Sequence, residues 1–299
     1  RAYYAMPDWR NRSGEATAGI YGFLAMLIKA LDELKPTHLA IVFDHPGPTF
    51  RNLMYVGYQT NREKDRQIFE DIYGQIDKLK QVFQLLSVPV YQIEGFEADD
   101  VIGTLSVQSD CQTVIITGDR DLMQLVNDKV SLYMPIKGMS DMQIINREKV
   151  KERLGVYPER VIDFKALVGD SSDNYPGVQG IGPKTAIKLL EKFKSFENIY
   201  TSPSNPSPKL GEGGEGRGIV QKLLEGYESG ELSKRLATIR TDAPATLDIE
   251  KCLVPSTQKI SEVLQELGYK SLVRRVDPAR NALQSEAGGI KSQERLFDL

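Results

Sequence analysis

Cysteine and histidine are scarce in this chain of 299 residues, which holds two of each. Cys111 and Cys252 are too few for a disulfide framework or a cysteine-bound zinc site. With His38 and His45 alone available, neither a histidine-built metal centre nor a Ser/His/Asp catalytic set is expected. The low cysteine content is typical of the reducing cytosol, so we expect a cytoplasmic protein.

Long apolar runs and a signal-peptide pattern are also missing, so the sequence predicts no membrane partner. A Gly-x-x-x-x-Gly-Lys loop is absent, which argues against binding of a nucleoside triphosphate. Basic residues number 38 and acidic residues 41, a net charge of −3 that taken alone argues against a nucleic-acid binder. The net charge does not show how charges are distributed. A protein that concentrates its acids in one metal site can still have basic faces that bind nucleic acid. We expect a monomer.

Apolar residues in the first half alternate between helical spacing and short unbroken runs. This alternation predicts a three-layer α/β/α domain with a mostly parallel sheet over residues 1–146. The predicted helices span residues 15–34, 68–86, 98–107 and 121–126, and the predicted strands span residues 39–43, 88–93, 113–117 and 130–134.

Short helical patterns dominate residues 147–275, which predicts a smaller helical domain. Residues 201–218 are rich in proline, serine and glycine, and we expect a flexible insertion there. The tail at residues 276–299 is mostly polar, and we expect it to be mostly disordered.

Four clusters of acidic residues follow predicted strands or lie in the helical region. Ligands bind outside the carboxyl ends of the strands in open α/β sheets, so three clusters are expected at one edge. Two like charges about 4 Å apart repel by about 4 kcal/mol at an effective dielectric near 20, so a shared site needs cations. Oxygen ligands favour Mg²⁺ or Mn²⁺ over zinc. The candidate metal ligands are Asp44, Glu97, Asp99, Asp100, Asp119, Asp121, Asp170 and Asp173.

Helix capping is the competing explanation, because Asp and Glu satisfy free N–H groups in the first turn of a helix. For a single acid the two explanations are equally good. Capping accounts poorly for all four clusters, since one cap needs one acid and residues 97–100 supply three. Two carboxylate-bound cations about 4 Å apart suit phosphoryl transfer, so we expect two or more of them.

A glycine turn before a basic helix is a candidate phosphate-binding element. Such a turn places backbone N–H groups at a helix start, where they attract anions, and Pro183 is a favoured first helical residue. K⁺ at this turn is a further candidate ligand. An ordinary glycine turn before a solvated basic helix is the alternative. The candidate DNA-binding residues are Gly180, Gly182, Lys184, Thr185 and Lys188.

Residues 50–66 mix basic and aromatic side chains without a clear period. Rings stack on bases and basic groups contact phosphates, so this stretch suits a single strand of nucleic acid. A solvated loop with buried rings explains the pattern equally well. The candidate residues are Arg51, Tyr58, Gln59 and Arg62.

Together and in this order, the motifs resemble the 5′-nuclease domains of bacterial DNA polymerase I, within the flap endonuclease superfamily. The likeness runs from residue 1 to about residue 275, apart from residues 201–218. It implies a metal-dependent nuclease that removes 5′ flaps and RNA primers. It also implies an α/β domain with a helical arch at about residues 50–80, and a helical domain with a helix–hairpin–helix DNA-binding element. The motifs are Val42-Phe43-Asp44, Phe50-Arg51, Tyr58 with Arg62, and residues 96–100, 117–121, 169–174 and 176–182.

The resemblance also suggests individual roles. Arg62 and Arg1 would neutralise phosphate charge, and Tyr58 would stack on a base near the junction. Two groups of acids would each hold a cation: Asp44, Glu97 and Asp99 the first, and Asp119, Asp121, Asp173 and Asp170 the second, with Asp100 nearby.

The sequence departs from the family pattern at two points. The family opens with a strand ending in a metal-binding aspartate, ahead of the arginine that Arg1 resembles, and the sequence from Arg1 onward supplies neither. The arch motif has a lysine between Tyr58 and Arg62, where this chain has Gln59, which keeps hydrogen bonding but loses the charge. A catalytically impaired branch-binding module is therefore the alternative function. A carboxylate-rich ribonuclease of related fold is a third.

We expect a structure-specific 5′→3′ exonuclease and 5′-flap endonuclease that acts on branched or nicked DNA in replication and repair. In the tail, the spacing of Gln293, Leu296 and Phe297 resembles the peptide by which bacterial replication proteins hold the sliding clamp, which makes the clamp a candidate partner. A fortuitous apolar pair, or a tail that packs on its own domain, is the alternative.

Overall fold

The computed structural model describes residue 10 and residues 17–60, 66–137, 141–201 and 214–276. Helices and strands alternate as far as residue 145, and helices dominate afterwards, as the sequence predicts. The strands are β1 Ile41–Val42, β2 Val90–Tyr91, β3 Thr113–Ile116, β4 Val130–Lys137 and β5 Asp141–Ile145. The helices are α1 Ala18–Leu34, α2 Phe50–Met54, α3 Arg66–Leu86, α4 Ala98–Gln108, α5 Arg147–Leu154, α6 Val161–Val168, α7 Pro183–Phe193, α8 Phe196–Thr201, α9 Gly214–Glu225, α10 Tyr227–Ala237, α11 Thr257–Glu266 and α12 Lys270–Val276.

The described strands form two small sheets. β1 and β2 run parallel with Ile41 opposite Val90, and β3 and β4 run parallel with Ile115 opposite Leu132. These pairs confirm the predicted α/β class. β5 was not predicted, and it adds an antiparallel edge to β4. Residues 121–125, predicted as part of an α-helix, form a 3₁₀ turn.

An apolar cavity of about 550 Å³ lies between the two sheets. Phe23 and Leu31 of α1, Val42 of β1 and Ile116 of β3 are among its lining residues. The described strands form two sheets where the sequence predicts one, and residues of both β1 and β3 line the cavity between them.

The two largest of the four apolar clusters in the described residues each contain residues from both halves of the chain. The first joins the β3–β5 sheet to the helical half, with Leu132 packed in the same cluster as Leu190 and Phe196. The second joins α1 and α3 to the last two helices, with Phe83 in the same cluster as Leu272. Helices α11 and α12 therefore complete the core of the first half.

Residues 238–247, here called the return segment, run from the end of α10 back along α4. The side-chain amide of Gln124 donates to the carbonyl of Ala237 and accepts from the N–H of Ile239. A Cβ on Gly103 would lie 2.8 Å from the side chain of Ile239 and 3.2 Å from the carbonyl oxygen of Arg240, so glycine is needed at this contact. The return segment thus ties the helical half to α4.

Two predicted segments lie wholly or partly outside the described residues. Of the predicted insertion 201–218, residues 202–213 lie outside, and residues 214–218 form the start of α9, which differs from the expected flexible segment. The tail from residue 277 onward, with Gln293, Leu296 and Phe297, also lies outside. In the described ranges, no helix combines the length and apolarity that crossing a membrane requires.

Candidate metal centre and nucleic-acid interface

The acids that follow β1, β2 and β3 act on one another electrostatically. Desolvation raises the pKa of Asp99 well above its usual value, and the charges of Asp119 and Asp44 raise it further. Desolvation also raises the pKa of Glu97, to about 7, with Arg51 opposing the shift and Asp44 adding to it. The carboxyl ends of these strands therefore bring Asp44, Glu97, Asp99, Asp119 and Asp121 to one edge, here called the acidic edge.

Lys165 of α6 connects the acidic edge to the helical half. Its Nζ lies 2.5 Å from Oδ1 of Asp121 and also donates to Oδ2 of Asp170. Desolvation raises the pKa of Asp121 to about 6, although the charge of Lys165 opposes this. The pKa of Asp170 instead falls to about 2, because hydrogen bonds from Lys165 and Ser172 outweigh its desolvation. Sequence reasoning missed Lys165. Its position five residues before Asp170 could have indicated that it pairs with this acid.

A tight loop at residues 169–177 presents Asp170 and Asp173. Gly169 and Gly177 have φ values of 73° and 63°, and a Cβ on Gly177 would lie 2.3 Å from the backbone nitrogen of Gly169. Side chains at these two positions are therefore excluded, and the loop closes with Asp170 paired to Tyr175 through backbone hydrogen bonds. Oδ1 of Asp170 accepts the N–H groups of Ser172 and Asp173, at 2.7 and 3.3 Å.

Tyr58 and Gln59 contact the acidic edge directly. The Tyr58 hydroxyl donates to Oε2 of Glu97 at 3.2 Å, and the Gln59 side-chain amide donates to Oδ1 of Asp173 at 3.3 Å. Tyr58 is 4% exposed and packs in a cluster with Tyr175, so its ring has no free face for a base. This placement differs from the predicted stacking role and makes Tyr58 a partner of the acids.

Arg51 is buried and fully paired, which differs from its predicted contact with DNA. Its guanidinium donates twice to the carboxylate of Asp100, at 2.7 and 2.9 Å, and also to the carbonyls of Leu236 and Thr238. Burial opposes its charge, but the hydrogen bonds with Asp100 and the charge of Glu97 raise the pKa of Arg51 overall.

Asp100 is 0% exposed, and its two oxygens are already engaged. Besides Arg51, it accepts the backbone N–H of Arg240 at 2.8 Å and that of Glu97 at 3.1 Å. Asp100 therefore stands apart from the other candidate metal ligands, as an anchor for Arg51 and for the start of α4.

The chemistry of the remaining acids fits a cation, although their present arrangement does not enclose one. Within the described ranges, no three Asp, Glu, His or Cys side chains form a ready group of ligands. Carboxylates with raised pKa values repel one another, and the ammonium of Lys165 stands between two of them as an internal cation. A donor set made of oxygen alone fits Mg²⁺ or Mn²⁺.

We expect the metal-free protein to lose stability as the pH rises from about 4.5 to about 7. The pKa of Glu97 is near 7 in the fold against 4.5 as its ordinary value, with Arg51, Asp44, Asp100 and Asp173 facing it. The folded state therefore binds a proton at Glu97 that the unfolded state releases. The stabilisation from this proton is fully present below pH 4.5 and is lost as the pH rises through 7. The loss should be roughly 2–3 kcal/mol in urea unfolding with EDTA.

Two controls accompany this pH series. Glu97→Gln should flatten the pH dependence, because the variant cannot ionise at this position. Mg²⁺ should restore more stability at pH 8 than at pH 5, since carboxylates bind metal when deprotonated. Stability that rises steadily with pH in EDTA would contradict the expected sign.

The turn at residues 178–182 has the geometry predicted for it. Gly180 has a φ of 78°, and Gly182 precedes α7, which begins with Pro183. Lys184 and Lys188 are exposed, and Thr185 is half-buried. Lys222 of α9 lies over the turn with Nζ 3.4 Å from the carbonyl of Gly180. Sequence reasoning missed Lys222, because 42 residues separate it from the turn.

The candidate phosphate-neutralising residues Arg1 and Arg62 lie outside the described residues. Seven predicted metal ligands thus lie within electrostatic reach of others in the set, and Tyr58 and Gln59 contact two of them. Arg51 and Asp100 lie in the interior beside them.

Comparison with known proteins accounts for both halves of the chain. The 5′-3′ exonuclease N-terminal resolvase-like domain matches residues 1–155, and the 5′-3′ exonuclease C-terminal SAM fold matches residues 156–260. The chain belongs to the 5′-3′ exonuclease family. Members of this family are nucleases, and the match confirms the resemblance to the 5′-nuclease domains of bacterial DNA polymerase I.

Relatives with similar sequences include two bacterial polymerases. DNA polymerase I of Bacillus subtilis is 35% identical over 281 residues, which cover 92% of this chain and 31% of the polymerase. DNA polymerase I of Chloroflexus aurantiacus is 40% identical over 280 residues, with 90% and 28% covered. The chain therefore spans about a third of the length of these relatives.

Two solved structures have a fold similar to that of this chain. The T5 D15 protein, co-crystallised with metal ions, superposes with a TM-score of 0.58 at 18% identity, covering 88% of this chain and 90% of that protein. The catalytic core of Rad2 in complex with a DNA substrate gives a TM-score of 0.53 at 16% identity, covering 90% and 86%.

Proposed function

We propose that the chain is a structure-specific 5′→3′ exonuclease and 5′-flap endonuclease that hydrolyses DNA, and RNA primers, in replication and repair. The observation that carries this proposal is the acidic edge. Acids from three strands and from the 169–177 loop lie within electrostatic reach of one another beside a buried Tyr58. Membership of the 5′-3′ exonuclease family supports the enzyme over a branch-binding module or a ribonuclease.

The proposed cofactors are two Mg²⁺ or Mn²⁺ ions held by the acidic edge, in keeping with the metal ions in the T5 D15 protein. When bound, such ions supply an activated water and stabilise charge on the departing 3′-oxygen. Seven carboxylates would hold them: Asp44, Glu97 and Asp99 for one ion, and Asp119, Asp121, Asp170 and Asp173 for the other.

Other side chains of the site hold these acids in place. Tyr58 and Gln59 orient Glu97 and Asp173 by hydrogen bonds, so Gln59 keeps a contact with the acids even without the charge of a lysine. Lys165 neutralises Asp121 and Asp170. Arg62, and Arg1, would neutralise the scissile phosphate. Rad2 with its DNA substrate is a structural neighbour, and branched or nicked DNA is the proposed substrate here.

Cleavage of a 5′-flap oligonucleotide tests the proposal. With Mg²⁺ the chain should cut near the junction, and EDTA should abolish cutting. A matched linear duplex should be degraded from its 5′ end, and an RNA-primed substrate should release its primer. Binding of the flap without cleavage in Mg²⁺ or Mn²⁺ would favour the branch-binding module instead.

The turn at residues 178–182 is the proposed grip on duplex DNA. Lys184→Ala should weaken duplex binding evenly across sequences and reduce the slope of log affinity against log salt by about 1, since one phosphate contact is lost. Lys35→Ala, an exposed lysine that follows α1, is the matched control and should leave both unchanged. Equal affinity and slope for Lys184→Ala would make the turn a structural feature alone.

Four further expectations stay predictions: K⁺ at the 178–182 turn, contact of Gln293, Leu296 and Phe297 with a sliding clamp, a monomeric state, and a cytoplasmic location.

A further inference from the structure

A tyrosine hydroxyl is buried at the acidic edge without a hydrogen-bond partner. Tyr175 is 3% exposed, and its Oη is one of three buried side-chain oxygens that lack a partner among the described residues. A hydroxyl has one proton to donate and two lone pairs that accept. Leaving them unmet in the interior is costly, so a buried hydroxyl of this kind needs an explanation.

The surroundings of Tyr175 place this hydroxyl among carboxylates. Its backbone pairs with that of Asp170, and its ring packs in one cluster with Tyr58, whose own hydroxyl reaches Asp173. The charges of Asp121, Asp170 and Asp173 all act on the Tyr175 hydroxyl, and with burial they raise its pKa. The unpartnered hydroxyl therefore belongs to a buried side chain beside the loop that carries Asp170 and Asp173, two of the acids that would hold the second cation.

We propose that Tyr175 is a positioning residue of the divalent-cation site, whose hydroxyl gains its partners when a hydrated cation is held by Asp121, Asp170 and Asp173. The inference rests on the proposed function. The hydroxyl would donate a hydrogen bond to a carboxylate oxygen and accept one from a water that the cation would retain, since Mg²⁺ keeps several waters in such sites. Groups that orient ligands in this way change metal affinity by about 10–100-fold.

The chain offers a matched pair of variants for the test. Tyr175→Phe removes the hydroxyl at the acidic edge. Tyr200→Phe removes another buried hydroxyl without a partner, in a cluster with Phe196 and Tyr227. Burial and Tyr227, with no carboxylate, raise the pKa of Tyr200 to about 12, so this second site shares the burial and lacks the acids.

Calorimetric titration of Mg²⁺ and of Ca²⁺ into the full chain measures the effect without relying on activity. Tyr175→Phe should weaken cation binding by at least about tenfold. In EDTA its melting temperature should equal or exceed that of the wild type, because an unmet polar group has been removed. Tyr200→Phe should leave cation affinity unchanged while sharing the thermal effect.

The outcomes separate this inference from the proposed function. Wild-type affinity in Tyr175→Phe overturns the inference and leaves the nuclease standing. A wild-type chain that binds no divalent cation overturns the proposed function as well. If Tyr175→Phe does not fold, tyrosine absorbance of the wild type decides, because the hydroxyl should change its hydrogen bonding on cation binding, and an unchanged spectrum would refute the proposal.

Discussion

Asp119→Asn is expected to lower flap cleavage by about 10³-fold, the equivalent of about 4 kcal/mol of transition-state stabilisation. Oδ1 of Asp119 accepts the N–H of Asp121 at 3.0 Å, and its own N–H is bound by Thr117 Oγ1. Asparagine keeps an oxygen for the first contact and loses the charge, so the loss should fall on cation binding with the fold intact. Single-turnover cleavage in Mg²⁺ measures it.

Flap binding in Ca²⁺ should stay within about tenfold of the wild type, because phosphate contacts by basic groups supply most of the affinity. Asp110→Asn is the matched control, since this carboxylate is fully exposed and lies beyond the end of α4. It should leave cleavage unchanged. Full turnover in Asp119→Asn would remove this residue from the site.

Arg51→Met should lower the free energy of unfolding by about 3–5 kcal/mol, because it leaves the buried charge of Asp100 without its partner. Arg51 also holds the carbonyls of Leu236 and Thr238, so the loss includes the tie between α2 and the return segment. Urea denaturation at pH 7.5 measures the change, with the m-value expected to stay constant.

A second substitution tests whether the unpaired carboxylate of Asp100 causes the loss of stability in Arg51→Met. Adding Asp100→Asn to Arg51→Met removes the unpaired carboxylate, and the double variant should be more stable than Arg51→Met alone. The salt slope of DNA binding should not change in folded Arg51→Met, because Arg51 is 2% exposed. A slope reduced by about 1 would instead mean that Arg51 reaches a phosphate.

Local signals predicted the helices of the first half well, because apolar spacing is a property of neighbouring residues. Helices α1, α3 and α4 begin and end within a few residues of their predicted positions. β5 was missed because Asp141 and Ile144 of this edge strand are exposed and no unbroken apolar run marks it. The start of α9 was missed because glycines dominate its first turn.

The candidate site shows a different limit of sequence reasoning. The rule for carboxyl ends of strands predicted that acids from separate motifs would meet, and their mutual effects on pKa agree with it. The sequence shows which residues carry charge and gives no sign of which partner each takes. Arg51 lies 49 residues from Asp100, and Lys165 lies 44 residues from Asp121. The sequence does not show whether an arginine such as Arg51 is buried or exposed, because burial depends on residues that are distant along the chain.

The packing of α11 and α12 into the core of the first half affects the order in which this protein can fold during its synthesis. A chain emerges from the ribosome beginning with its N terminus, and its parts fold as they appear. Phe83 shares its apolar cluster with Leu272, so the first half cannot close its core while the last helices are still being made. A nascent chain therefore completes this apolar cluster only after the helical half has been synthesised.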